Sequence, residues 1–229
     1  SIIMANNLCY STMLVNPTDA LSFQESDLSR ITVNDQCFVF VKREVRASIL
    51  GDLLTKWLEQ RKAVKRDMQR CSDPTLKLLL DKRQTALKVT CNAVYGFTGA
   101  AHGLLPCVAI ASSITAIGRQ MLQSTTEFVH NVLSSKEAFI SLFNLNQADF
   151  LGEVSVKVIY GDTDSIFVLI KNVDQKKLVE VAPAVAEHIT QNLFSKPVKL
   201  EFEKLISPLM MICKKRYIGK DVGTGQLVM

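Results

Sequence analysis

The sequence predicts an α+β chain in which short β-hairpins and long helices follow one another in mixed order. Three observations carry this. Apolar residues alternate in twos around turn pairs in the first 45 residues and again after Val154, and they switch to three- and four-residue steps between about Ala47 and Tyr95. The helical spacing returns from Cys107 to Leu133. At 229 residues, 48% hydrophobic and 21% charged, the chain can bury one large core or two small ones. The same figures exclude disorder, collagen and coiled coil.

Taken in order, Arg30-Ile31-Thr32-Val33 and Cys37-Phe38-Val39-Phe40-Val41 flank Asn34-Asp35 and read as a β-hairpin. Leu50, Leu53, Leu54, Trp57, Leu58, Val64 and Met68 then recur at helical spacing, predicting a helix to about Arg70. Ser72-Asp73-Pro74 punctuates, with Asp73 suited to N-cap a second helix and Pro74 to its first turn. That helix is expected to reach Tyr95, with Gly96 as its C′ residue. Two such antiparallel helices of about 22 residues would each be about 33 Å long.

Phe97 to Pro106 reads as a Gly-rich loop, Cys107 to Leu133 as a helix, and the stretch through Asn146 as a loop. Val154 to Tyr160 and Ser165 to Ile170 read as strands flanking the turn Gly161-Asp162-Thr163-Asp164. Leu178 to Phe194 is expected to be a helix interrupted early by Pro183, and Val198 to Ile206 a strand.

No secretory signal is expected, because the opening Ser1-Ile2-Ile3-Met4 lacks a basic n-region and an h-region. The uncharged stretches Ser1 to Thr18 and Val89 to Gly118 are broken by polar residues, glycine and proline, so no membrane span is expected. Six scattered cysteines without a C-x-x-C suggest reduced thiols in an intracellular protein and no zinc site.

Charge is concentrated. Between Lys42 and Tyr95 lie thirteen Lys/Arg and six Asp/Glu, a net of +7, whereas the remainder holds fourteen against sixteen. A basic block of this kind points to a polyanion, either nucleic acid or a nucleotide phosphate.

The sharpest chemical feature is Tyr160-Gly161-Asp162-Thr163-Asp164-Ser165. Two carboxylates set side by side between strands repel one another unless a cation offsets them, and hard oxygen ligands suit Mg²⁺ or Mn²⁺. An ordinary acidic hairpin tip is the plain alternative. On the second helix, Lys77, Asp81, Gln84, Lys88, Asn92 and Tyr95 fall on one stripe, and on the first Arg61 and Lys65 are one turn apart. A solvated helix face would give the same pattern. Glu201 and Glu203 alternate with apolar neighbours and are expected on one face of a strand. Lys214-Lys215-Arg216-Tyr217 has the composition of a contact to a nucleic-acid backbone.

At these residues the chain resembles the family B DNA polymerases, most closely those of herpesviruses of the betaherpesvirus type. Tyr160-Gly161-Asp162-Thr163-Asp164-Ser165 is similar to the third polymerase motif. Lys88-Val89-Thr90-Cys91-Asn92-Ala93-Val94-Tyr95-Gly96 is similar to the second, K-x-x-x-N-x-x-Y-G, with Ala93 where a serine is common. The opening Ser1-Ile2-Ile3 resembles the tail of the first, D-x-x-S-L-Y-P-S-I-I. The likeness continues through Gln60-Arg61-Lys62, Phe97-Thr98-Gly99, Gly118-Arg119, Glu201-Phe202-Glu203-Lys204 and Lys214 to Gly219.

The resemblance implies a polymerase palm, an antiparallel sheet with packed helices, at residues 1–45 and 102–229. A two-helix fingers hairpin would be inserted at 46–101. It implies template-directed addition of deoxynucleoside triphosphates (dNTPs) to a primer 3′-hydroxyl with release of pyrophosphate, using two Mg²⁺ ions, with Mn²⁺ as a substitute.

By the same likeness Asp162 and Asp164 would be catalytic metal ligands and Glu203 an auxiliary one. Arg61, Lys65, Lys88 and Asn92 would grip the triphosphate, and Tyr95 and Gly96 would pack against the nascent base pair. Lys214, Lys215, Arg216 and Tyr217 would hold the DNA, with Asn7 and Arg119 as further DNA contacts, while Cys91, Ala93 and Val94 read as helix packing. The implied partners are primer-template DNA, dNTPs and, through other regions, a viral processivity factor and replication proteins in the host cell nucleus. The family's upstream metal-binding Asp, its exonuclease domain and its thumb have no counterpart in this sequence, so the segment alone is expected to be inactive. A D-x-D glycosyltransferase, a non-catalytic nucleic-acid-binding module and an inactivated polymerase relative are the competing readings.

Overall fold

The first hairpin forms in the expected register. In a computed structural model of the chain, β2 (Leu28–Val33) and β3 (Gln36–Val41) pair antiparallel, with Val33 opposite Gln36 around Asn34-Asp35. Asn34 takes a left-handed φ of 53°, which a short polar side chain tolerates. The described residues are 1–100, 102, 103 and 105–228; Ala101 and Leu104 of the expected loop, and Met229, lie outside them. The chain divides into two units, Ser1–Ile117 and Gly118–Met229.

In the first unit a short helix α1 (Ile2–Ala5) precedes a three-stranded antiparallel sheet of order β1-β3-β2, with β1 at Met13–Leu14. Two long helices follow, α2 (Ile49–Arg70) and α3 (Pro74–Gly99). At 22 and 26 residues they are about 33 and about 39 Å long. Ser48 caps α2 by accepting the Gly51 N–H, and Asp73 caps α3 by accepting from Thr75 and Leu76.

The second helix does not stop at Tyr95. It runs through Gly99, so Gly96 lies in its last turn and not in a left-handed C′ position, and the cap residue Ala100 is extended. Tertiary contacts outweigh the roughly 1 kcal/mol that a helical glycine costs. Val94 and Thr98 are buried, and the Cys107 N–H donates to the Thr98 carbonyl. Only the base of the helical pair joins the core, through Leu50, Leu54 and Val94 against Ile3, Leu8 and Phe40. Cys91 packs partly buried against this cluster, as expected, whereas Ala93 is exposed and is not a packing residue.

α4 (Val108–Val132) leads into the second unit, where α5 (Lys136–Phe143) replaces the expected loop. Its eight residues are too few to display a period; Ser135 caps it and a left-handed Asn144 ends it. β4 (Phe150–Asp162) and β5 (Ser165–Val173) form a two-stranded antiparallel sheet. α6 (Gln175–Leu193) is capped by Asp174 and passes through Pro183 without interruption. Proline removes one N–H from the ladder, and the buried face Leu178, Ala186 and Ile189 holds the helix across it. The end of α4 with α5 and α6 covers one face of β4–β5, burying Val129, Leu133, Phe139 and Ile189 against Val154, Val156, Val158 and Val168.

A third sheet has the order β6-β7-β8, with β6 at Ile206–Cys213, β7 at Arg216–Asp221 and β8 at Leu227–Val228. The strand expected over Val198 to Ile206 is not formed before Ile206. Thr190 of α6 binds the Leu200 backbone on both sides, taking its N–H at 2.9 Å and donating to its carbonyl, so that stretch is tied to a helix and not to a ladder. Among the described residues no helix is long and apolar enough to cross a membrane.

Candidate functional site

The acidic turn owes its orientation to one extra residue. Val158 pairs with Val168 and Tyr160 with Phe167, so Ile159 is a bulge in β4. Before it, Val154, Val156 and Val158 face the core; simple alternation would send Tyr160 and Asp162 the same way. The bulge reverses the parity. Gly161, opposite Ile166, now lies on the core face, and Tyr160 and Asp162 stand on the other face with Phe167 and Ser165. The Val158 N–H donates to His130 Nε2 of α4 at 3.0 Å.

Asp162 pairs with Ser165, leaving Thr163-Asp164 as a two-residue loop. The Asp164 N–H donates to the Asp162 carbonyl at 2.6 Å, a three-residue turn with Thr163 at a φ of 50°. A β-branched residue there is strained by about 1 kcal/mol or more. The Asp162 carboxylate accepts from the Thr163 hydroxyl at 3.1 Å, and the Ser165 hydroxyl donates to the Asp162 carbonyl. The Asp164 carboxylate is exposed and has no partner among the described residues.

A second turn is brought to the first. Lys214-Lys215 link Cys213 to Arg216 at the end of the β6–β7 hairpin, with Lys215 at a φ of 64°. Lys215 Nζ lies 3.4 Å from Asp162 Oδ2, and its backbone N–H donates to the Tyr160 hydroxyl at 3.0 Å. Phe167 sits between two rings, 5.7 Å from Tyr160 and 5.0 Å from Tyr217, both edge-on. Residues some fifty positions apart in sequence thus form one acidic-basic cluster, with Lys214 and Arg216 exposed beside it.

Gly219 explains the end of the Lys214 to Gly219 run. A Cβ there would lie 2.2 Å from Ile206 Cγ2 and 2.8 Å from the Pro208 carbonyl oxygen, so only glycine lets β6 and β7 approach.

In the first unit the expected stripe on α3 divides. Gln84 is half-buried and accepts from Arg61 Nε of α2 at 3.3 Å while donating to Asp81 at 3.1 Å. Lys88, Asn92 and Gly96 are exposed, as is Tyr95 at 43%. Lys65 is also exposed. Burial pushes the Cys91 thiol upward, partly countered by the Arg61 guanidinium.

Three expectations change or stay apart. Asn7 is 3% exposed: its amide donates to the Val41 and Arg46 carbonyls, both at 2.8 Å, and its oxygen accepts the Ser48 N–H. It clamps the end of β3 to the start of α2, which corrects the expected DNA contact. Glu203 is exposed on the irregular stretch before β6, so Glu201 and Glu203 do not share a strand face. Arg119 is exposed on α4.

The donor chemistry of the acidic turn fits a hard divalent cation: two carboxylates two residues apart, one without a partner among the described residues and one facing an ammonium and the Thr163 hydroxyl. Among the described residues no three His, Cys, Asp or Glu converge on one metal-sized point.

A family model described as DNA polymerase family B matches residues 1–227. The DNA polymerase catalytic subunit of Human herpesvirus 6A (strain Uganda-1102) is 54% identical over 221 residues, covering 96% of this chain and 22% of that protein. Its counterpart in Rhesus cytomegalovirus (strain 68-1) is 52% identical over 231 residues, covering 100% of this chain and 22% of that protein. The DNA polymerase of Guinea pig cytomegalovirus (strain 22122) is 48% identical over 232 residues, 20% of its length. The chain spans about a fifth of the length of these curated relatives. Matched along nearly its whole length and sharing about half its residues with them, the chain belongs to DNA polymerase family B.

Proposed function

We propose that this segment carries nucleotidyl-transfer machinery of a DNA-directed DNA polymerase that replicates a viral genome in the host cell nucleus. It would extend a primer 3′-hydroxyl with dNTPs and release pyrophosphate. The observation that carries the reading is the cluster of an acidic turn and a basic turn, held together by Tyr160, Phe167 and Tyr217.

Asp162 and Asp164 supply two hard ligands to Mg²⁺, or to Mn²⁺ as a substitute, and Glu203 is an auxiliary acid outside that pair. When bound, two such ions lower the cost of forming the attacking alkoxide and stabilise the leaving oxygen. Residues 46–101 are the fingers and 1–45 with 102–229 the palm. The exposed cations Lys65 and Lys88, with Arg61 and Asn92, bind the triphosphate. Tyr95 offers the base pair a flat wall, and Gly96, with nothing within 4 Å of its would-be Cβ, leaves room beside it. Lys214, Lys215, Arg216 and Tyr217 bind the backbone of primer-template DNA, with Arg119 as a further cation. A processivity factor and other replication proteins would engage segments outside this one.

Asp164→Ala in the intact protein tests the reading. Primer extension should fall on the order of a thousandfold or more while primer-template affinity is retained. Undiminished extension would instead favour a non-catalytic nucleic-acid-binding module.

A further inference from the structure

We infer that Tyr160 is a positioning residue for the basic turn: its hydroxyl fixes the backbone of Lys215 and so aims the Lys215 ammonium. The inference rests on the polymerase reading of Lys215 as a primer-strand contact. In a two-residue turn the N–H of the second residue has no ladder partner, and in this turn that residue is left-handed. The Tyr160 hydroxyl takes that N–H at 3.0 Å. The next side chain along, Tyr217, is held edge-on to Phe167 at 5.0 Å, and Phe167 in turn to Tyr160 at 5.7 Å. The β6–β7 turn is thus registered on β4–β5 by one directional bond, Lys215 to Tyr160, and one ring contact, Tyr217 on Phe167. The bond sets the direction in which the lysine leaves the backbone, and its ammonium lies 3.4 Å from Asp162.

Tyr160→Phe isolates the hydroxyl, because the ring and its stacking remain. One hydrogen bond of ordinary strength changes an equilibrium by a factor of roughly two to ten. In the full-length polymerase, Tyr160→Phe should therefore raise the primer-template Kd about fivefold, with the KM for dNTP unchanged and the thermal midpoint lowered by no more than the loss of one hydrogen bond. In a Lys215→Ala background the same change should add less than about a twofold effect, because no ammonium is left to aim.

If Tyr160→Phe leaves the Kd unchanged where Lys215→Ala raises it, or if the two effects multiply, the inference is overturned and the polymerase reading stands. A fall in thermal midpoint with equal losses in DNA and dNTP handling would make Tyr160 mere scaffold and also overturn it. If neither Lys215→Ala nor Asp164→Ala alters binding or extension, the polymerase reading itself fails.

Discussion

The helical pair α2–α3 and the hairpin pair β4–β5 with β6–β7 both present charge, and they hold it in opposite ways. On the helices the cations project from a face where Arg61–Gln84 is the one side-chain hydrogen bond between the two elements among the described residues, and beyond the buried Val64 the leucines Leu76, Leu78 and Leu79 are exposed. On the hairpins each charged group is tied to a turn by backbone geometry: Thr163 and Lys215 are left-handed, Ile159 is bulged, and three rings interlock. Helical cations retain their rotamer freedom and can follow a polyanion. The backbones of the two turns are set by these contacts before any ligand arrives.

Two glycines put the contrast to its strongest test. Gly219→Ala forces a Cβ into Ile206 and the Pro208 carbonyl, and overpacking of this kind should cost about 3 kcal/mol, read as a lower urea midpoint. Gly96→Ala meets nothing within 4 Å and should stabilise the helix by about 0.5–1 kcal/mol while raising the KM for dNTP. Comparable destabilisation by both changes would abolish the distinction between the two regions.

A smaller effect comes from the bulge. His130→Ala removes the acceptor of the Val158 N–H, and because the imidazole is exposed and water can replace it, the loss should be about 1 kcal/mol. His130→Gln, which retains an acceptor, should recover part of it in the same unfolding assay.

The smallest effect is at the β7–β8 turn. The Gly223 N–H and the Thr224 hydroxyl hold the Asp221 carboxyl below its ordinary value. A depressed folded-state pKa gives stability that is complete above the unfolded value of about 4 and is lost as pH falls through the folded value. The gap in urea midpoint between the wild type and Asp221→Asn should therefore narrow on acidification from pH 7; a gap independent of pH would show that the carboxylate's charge is irrelevant there.

Much of this architecture was legible in the sequence where one local rule acts alone. Asn34-Asp35, Asp73-Pro74 and the period of α2 each have a short-range cause, and the structure follows them. The misses have long-range causes. β6 was hidden because Pro208 and two extra residues disrupt its alternation, and because its turn is Lys-Lys with neither glycine nor asparagine. Thr190 binding Leu200 cancelled a strand whose own pattern was sound. Asn7 looked like a surface polar group because its partners lie at Val41, Arg46 and Ser48. At the candidate site the residue types were readable, but the joining of the acidic and basic turns was not, since it depends on ring contacts between separate hairpins.

Ile159 makes the β4 strand obey two codes in succession. From Val154 to Val158 an even position is an interior one, where a charged substitution would be severe and an odd-position change mild. From Tyr160 onward the even positions are exterior. Losing or gaining one residue between them would leave every amino acid of the acidic turn in place and turn the Asp162 carboxylate towards the apolar core. Length over this stretch is therefore constrained as tightly as identity.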